Sequence, residues 1–115
     1  MQVHIPKDQS GGFINNQQET WKFKYDKIMH NSSQEDIFTF CAQDIVKQVV
    51  NGYNGTIMCY GQTGAGKTFT MNGSTTNFKY RGIIPRAITQ IFQEIGSHYD
   101  KEFQVKVSYL EIYNE

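Results

Sequence analysis

Two cysteines and two prolines are all that the 115 residues contain of either. Cys41 and Cys59 form no C-x-x-C and have no histidine at ligand spacing. That excludes a multiply cross-linked scaffold or a zinc ribbon and leads to the expectation of two buried, reduced thiols. Charge of either sign is missing in excess, with eleven basic and eleven acidic side chains. The balance gives no reason to expect nucleic acid or an anionic membrane as a partner. No apolar run approaches a membrane span, and Met1–Lys7 lacks the apolar core of a signal peptide, so a cytosolic protein is expected. The triplets at Asn31, Asn54 and Asn72 match the glycosylation pattern but are expected to stay unmodified without export. Aromatic residues are not scarce, at 14%, and the length suits one small folded domain with a modest core.

What is present in quantity is glycine, and it is concentrated where it can do chemistry. Gly61-Gln62-Thr63-Gly64-Ala65-Gly66-Lys67-Thr68 fits G-x-x-x-x-G-K-[ST] at every fixed position. Glycines let the backbone curl so that successive N–H groups face phosphate oxygens, and a helix beginning near Gly66 aims its positive end at the same place. In such a loop Lys67 reaches the β- and γ-phosphates, and the Thr68 hydroxyl serves a Mg2+ ion that bridges them. The flanks agree with the motif. Gly55–Tyr60 is a short apolar run that suits a buried strand, and Lys67–Met71 can open a helix.

Around this centre the chain divides into recognisable pieces. Val3-His4-Ile5 followed by Pro6 and by turn chemistry at 8–12 predicts a small peripheral hairpin up to about Asn16. Asp8 to Gly11 spells D-x-x-G, but with no apolar strand leading in it reads as a turn. Trp21–Asp26 alternates aromatic and charged residues and predicts a strand with Trp21, Phe23 and Tyr25 packed on one face. Ser32 to Glu35 and Ser33 to Asp36 both have capping-box spacing, so a helix starts there. Its apolar stripe is Ile37, Cys41 and Ile45 with Phe38, Ala42 and Val49, and Asn51-Gly52 stops it. Breakers over 72–77 and the segment 78–82 cut the loop helix short and predict an irregular insert able to touch the nucleotide or to be a plain surface loop. Helical spacing resumes from Pro85 to a stop at Gly96, and Phe103–Tyr113 alternates as a long strand. These elements are too few to cover both faces of a parallel sheet, so the chain is expected to be part of a larger domain.

Several stretches, in this order, resemble the motor domain of the kinesin superfamily: Tyr25–Ile28, Gly52–Ile57 into Tyr60–Thr68, Gly82–Arg86, and Val107–Glu115. Ile14–Gln18 and Ile57–Tyr60 are most similar to the ninth kinesin family, associated with cilia and flagella. The resemblance implies an α/β P-loop NTPase of kinesin-motor type: an incomplete, mainly parallel central sheet flanked by helices, with a small N-terminal β-hairpin. Residues 1–115 would be the N-terminal portion of that motor domain. It implies ATP bound by Gly61, Gln62, Thr63, Gly64, Ala65, Gly66, Lys67 and Thr68, Mg2+ held partly by Thr68, and Phe69 placing its ring beside adenine.

The implied partner is the microtubule, with neither nucleic acid nor membrane, and self-association would run through regions outside this chain. The implied location is the cytoplasm and cytoskeleton, extending to the ciliary or flagellar axoneme. The family's Arg-x-Arg-Pro strand before Val3, and its two switches, main microtubule-binding surface and neck linker after Glu115, are not in this sequence. A loop that holds phosphates without groups to place the attacking water is expected to turn over little ATP. Two alternatives stand beside the motor reading: another small P-loop NTPase active by itself, and a non-catalytic interaction module that keeps only the scaffold.

Overall fold

The computed structural model describes residues 1–6 and 18–113. They fall into two units, one within Met1–Asn31 and the other within Ser32–Glu115.

In the first unit, β1 (Gln2–His4) pairs antiparallel with β2 (Thr20–Lys22), with Val3 opposite Trp21. Main-chain bonds carry the pairing one step further at each end, from Ile5 N to Glu19 O and from Phe23 N to Met1 O. Among the described residues β1 therefore pairs with the start of the aromatic segment; the rest of the hairpin expected up to about Asn16 lies outside the described residues. The turn residues and the D-x-x-G at 8–11 lie outside the described residues. The strand expected over Trp21–Asp26 is assigned only as far as Lys22. Phe23 and Tyr25 do share a face, their rings stacked 6.4 Å apart, yet both are exposed and only Trp21 is half-buried. No layer among the described residues of this unit covers them.

The second unit is built from helices. Of the two candidate capping boxes the fold uses Ser33 and Asp36: the Ser33 hydroxyl accepts from Asp36 N at 3.1 Å, and the Asp36 carboxylate accepts from Ser33 N at 3.2 Å. Two donors at a helix start are thereby satisfied reciprocally. The expected single helix is divided into α1 (Gln34–Cys41) and α2 (Gln43–Val50), because Ala42 departs from helical geometry at φ −128°. This break rotates the apolar stripe. Ala42 and Val46 are buried, while Cys41 lies exposed and Val49 is 41% exposed, which corrects both the expected stripe and the expected burial of the Cys41 thiol. Cys59, a free thiol, is half-buried. The stop at Asn51-Gly52 is as expected: Gly52 has φ +97°, and Tyr53 N donates to Gln48 O while Gly52 N donates to Val49 O. Those two bonds are the paired closure of a Schellman motif.

The loop helix, α3 (Lys67–Met71), is short, and α4 (Ile83–Gly96) runs to the expected glycine. Helix α4 packs on α2, α1 and α3, and Ala42, Val46 and Ile83 are the buried apolar residues among those described. Two glutamines, Gln34 and Gln90, are buried with them.

The expected central parallel sheet is not assigned: the sheet among the described residues is the antiparallel pair β1–β2. Residues 55–60 and 103–113 belong to no strand. A strand exists through its ladder, and no described segment offers these residues one. Residues 57–60 keep a strand's alternation in burial all the same. Ile57 and Cys59 are half-buried, whereas Met58 and Tyr60 are 82% and 98% exposed. Gly55 fits closely against α2, since a Cβ there would stand 2.5 Å from Ile45 Cγ2.

Candidate phosphate-binding site

The loop that links 55–60 to α3 is shaped by glycines in the left-handed region, with φ +82° at Gly64 and +93° at Gly66. Residues with a Cβ rarely adopt these angles, so the sequence dictates the curl. Gly66 is also the residue from which α3 starts. One internal bond, Ala65 N to Gln62 O at 3.2 Å, closes the turn. The main-chain N–H groups of Gly64, Gly66, Lys67 and Thr68 donate to no acceptor among the described residues. Together with Thr63 these residues line an open hollow of about 310 Å3.

The Lys67 ammonium lies across this loop. It donates to Gly61 O at 2.6 Å and to Gln62 O at 2.7 Å, so two of its three protons are engaged by the loop's own carbonyls. The third is left for another acceptor. Thr68 is exposed, and its hydroxyl has no partner among the described residues. No group of three His, Cys, Asp or Glu side chains able to hold a metal occurs among the described residues. A metal here would depend on oxygens such as that of Thr68 and on those of a bound ligand.

Of the residues singled out in the sequence, Thr63, Gly64, Gly66, Lys67 and Thr68 line this hollow, Gly61 and Gln62 hold the Lys67 ammonium through their carbonyls, Ala65 closes the turn, and Phe69 follows the loop. Its ring is 55% exposed and borders a separate hollow of about 160 Å3 that is also lined by Ser33, Ile37 and Tyr80. Four unengaged N–H groups and a cation on residues that line one hollow suit an anion with several oxygens, which is what a polyphosphate tail presents. The donor set therefore fits a nucleotide triphosphate.

Sequence reasoning missed the order in the segment after α3. The 72–82 insert is a tied loop, not an irregular one. Gly73 and Arg81 form an isolated antiparallel bridge, and Phe78–Tyr80 makes a 3-10 turn capped by the Asn77 side chain. The Arg86 guanidinium reaches back from α4 to Arg81 O at 2.9 Å and Lys79 O at 3.1 Å. Arg81 in turn lies 4.6 Å over the Phe78 ring. Arg86 was visible in the sequence only as part of the Gly82–Arg86 stretch. Gln34, at the start of α1, was missed altogether. It is buried and donates to Phe69 O at 2.7 Å, 35 residues along the chain.

A glycine loop of this form, leading into a helix through Gly66 with lysine and threonine on its first turn, defines a P-loop of the NTPase class. Residues 3–115 match the family described as the kinesin motor domain. Among curated relatives, Kinesin-like protein KIF9 of Mus musculus is 55% identical over 113 residues, covering 98% of this chain and 14% of its own length. Kinesin-like protein KLP1 of Chlamydomonas reinhardtii is 54% identical over 98% of this chain and 15% of its own. A solved structure described as a fast kinesin superposes with a TM-score of 0.64 at 45% identity, covering 68% of this chain and 23% of that one. The chain belongs to the kinesin motor-domain family. It spans about a seventh of the length of these curated relatives.

Proposed function

We propose that this chain is the nucleotide-gripping portion of a microtubule motor, and that residues 1–115 are the N-terminal part of its motor domain. The observation that carries the reading is the set of unengaged amides at Gly64, Gly66, Lys67 and Thr68 beside the Lys67 ammonium. On this reading Gly61–Thr68 wraps the phosphates of ATP, and Lys67 exchanges a carbonyl contact for the β- and γ-oxygens. Thr68 gives its hydroxyl to Mg2+, and Phe69 sets its ring beside the base. Bound Mg2+ would neutralise charge on the phosphates. In the complete motor domain residues 55–60 and 103–113 would be strands of a central, mainly parallel sheet.

Hydrolysis coupled to movement along microtubules belongs to the whole gene product, since positioning of the attacking water needs groups outside 61–69. Family membership supports the microtubule as partner and the cytoskeleton as location. Similarity to KIF9 and KLP1, together with the resemblance to the ninth kinesin family, supports a place in cilia or flagella.

Titration of a fluorescent ATP analogue with Mg2+ tests the proposal. Lys67→Ala is expected to weaken binding by about tenfold or more, because the phosphates lose their fixed side-chain charge. Equal affinities in the two proteins would remove the loop from the account.

A further inference from the structure

We infer that Gln34 is a positioning residue for the phosphate-binding loop, its buried carboxamide holding the first turn of α3 through the main-chain oxygen of Phe69. The inference rests on the nucleotide reading above and adds a residue that the loop motif does not contain.

A five-residue helix leaves most of its carbonyls without intrahelical donors. The amide that would ordinarily serve Phe69 O is that of Gly73, four residues on, but Gly73 N donates to Thr68 O at 3.3 Å. Asn72 N also goes to Thr68 O, at 2.8 Å, so the end of α3 closes on Thr68 and passes over Phe69. The donor for Phe69 O comes instead from α1, as Gln34 Nε2 at 2.7 Å. Gln34 is itself well anchored. It is the first residue of α1, directly behind the Ser33–Asp36 capping box, and only 5% exposed. The capped start of α1 therefore holds the residue that follows Lys67 and Thr68, which line the hollow and whose amides have no acceptor among the described residues.

The other half of the same carboxamide shows that burial alone does not account for it. Gln34 Oε1 is buried with no partner. An apolar side chain of similar size would fill the space and remove that stranded acceptor, but it would leave Phe69 O without its donor. What selects an amide here is the donor, because only a donor can hold that carbonyl in place. Gln90 supplies an internal control. It too is buried with an unpartnered Oε1, and its Nε2 donates to Gln43 O at 3.1 Å. That bond joins α4 to the start of α2 and involves no residue of the loop.

The test measures Mg2+-dependent affinity for a fluorescent ATP analogue in the full chain and in Gln34→Met, Gln90→Met, Gln34→Glu and Lys67→Ala. Gln34→Met is expected to weaken binding about fivefold, while Gln90→Met binds as the wild type does. Gln34→Glu adds a readout that a purely structural role would not move. As a carboxylate it offers Phe69 O no proton; once protonated its O–H donates in place of Nε2. Its affinity relative to wild type is expected to recover as pH falls from about 8 to about 6, burial having raised the pKa of the new carboxyl. This arm also decides the matter should Gln34→Met fail to fold. Equal weakening in Gln34→Met and Gln90→Met, wild-type affinity in Gln34→Met, or a pH-independent ratio in Gln34→Glu would overturn the inference. A wild-type chain that takes up no nucleotide, or a Lys67→Ala variant that binds as tightly, would instead overturn the nucleotide reading beneath it.

Discussion

Two glycine-marked loops flank α3, and they use glycine for opposite ends. At Gly64 and Gly66 an added Cβ would meet nothing within 4 Å, so the backbone there is curled but uncovered. At Gly73 it would stand 2.1 Å from Tyr80 O and 2.3 Å from Gly82 N, so the missing side chain lets two backbones touch. The first loop leaves the amides of Gly64, Gly66, Lys67 and Thr68 unengaged; the second spends its own, with Ser74 N bonded to Tyr80 O and Gly82 N to Asn72 O. The contrast teaches that a glycine-rich stretch is a binding site only when its donors are left over after folding. By that criterion 61–68 is the candidate site, and 72–82 is a clamp that ties the end of α3 to the start of α4.

Substitution can break this contrast or sharpen it. The largest effect is expected from Gly73→Ala, which combines a left-handed φ of +69° with a backbone clash. It should cost about 3 kcal/mol or more in urea unfolding. Lys67→Ala should do the reverse, weakening nucleotide binding about tenfold while leaving the unfolding midpoint close to wild type, since the ammonium is held only by two carbonyls of its own loop. Arg86→Met keeps the aliphatic stem but removes both bonds to the 79–81 backbone. A loss of about 1 to 2 kcal/mol is expected, with faster amide hydrogen exchange over 78–82. Smallest is Gly64→Ala, which meets no neighbour and pays only for its positive φ, about 1 kcal/mol. If Gly64→Ala proved as damaging as Gly73→Ala, the division between an open loop and a closed one would be lost.

Much of this was legible before any coordinates. The capping box, the Gly52 stop, the curl at Gly64 and Gly66 and the end of α4 at Gly96 each depend on residues close in sequence, where local chemistry decides the outcome. The helix break at Ala42 was not legible, because alanine carries no breaking signal and the departure goes with packing between α1, α2 and α4. The capping pattern allowed Ser32 or Ser33, and only the fold selects Ser33. The strands expected at 55–60 and 103–113 show why alternation is not a sheet. Ile57 and Cys59 turn inward and Met58 and Tyr60 outward, but the ladder depends on partners that a local pattern cannot name. Gln34 escaped for the same reason: its partner lies 35 residues away, and nothing near it in the sequence announces that bond.

The most direct measurement is a two-dimensional amide NMR titration of the chain with MgATP. The N–H resonances of Gly64, Gly66, Lys67 and Thr68 should shift together and saturate at one affinity, while those of Ser74 and Gly82, already bonded within the clamp, should move little. Shifts confined to 72–82, or none at 64–68 while nucleotide is demonstrably bound, would contradict the account.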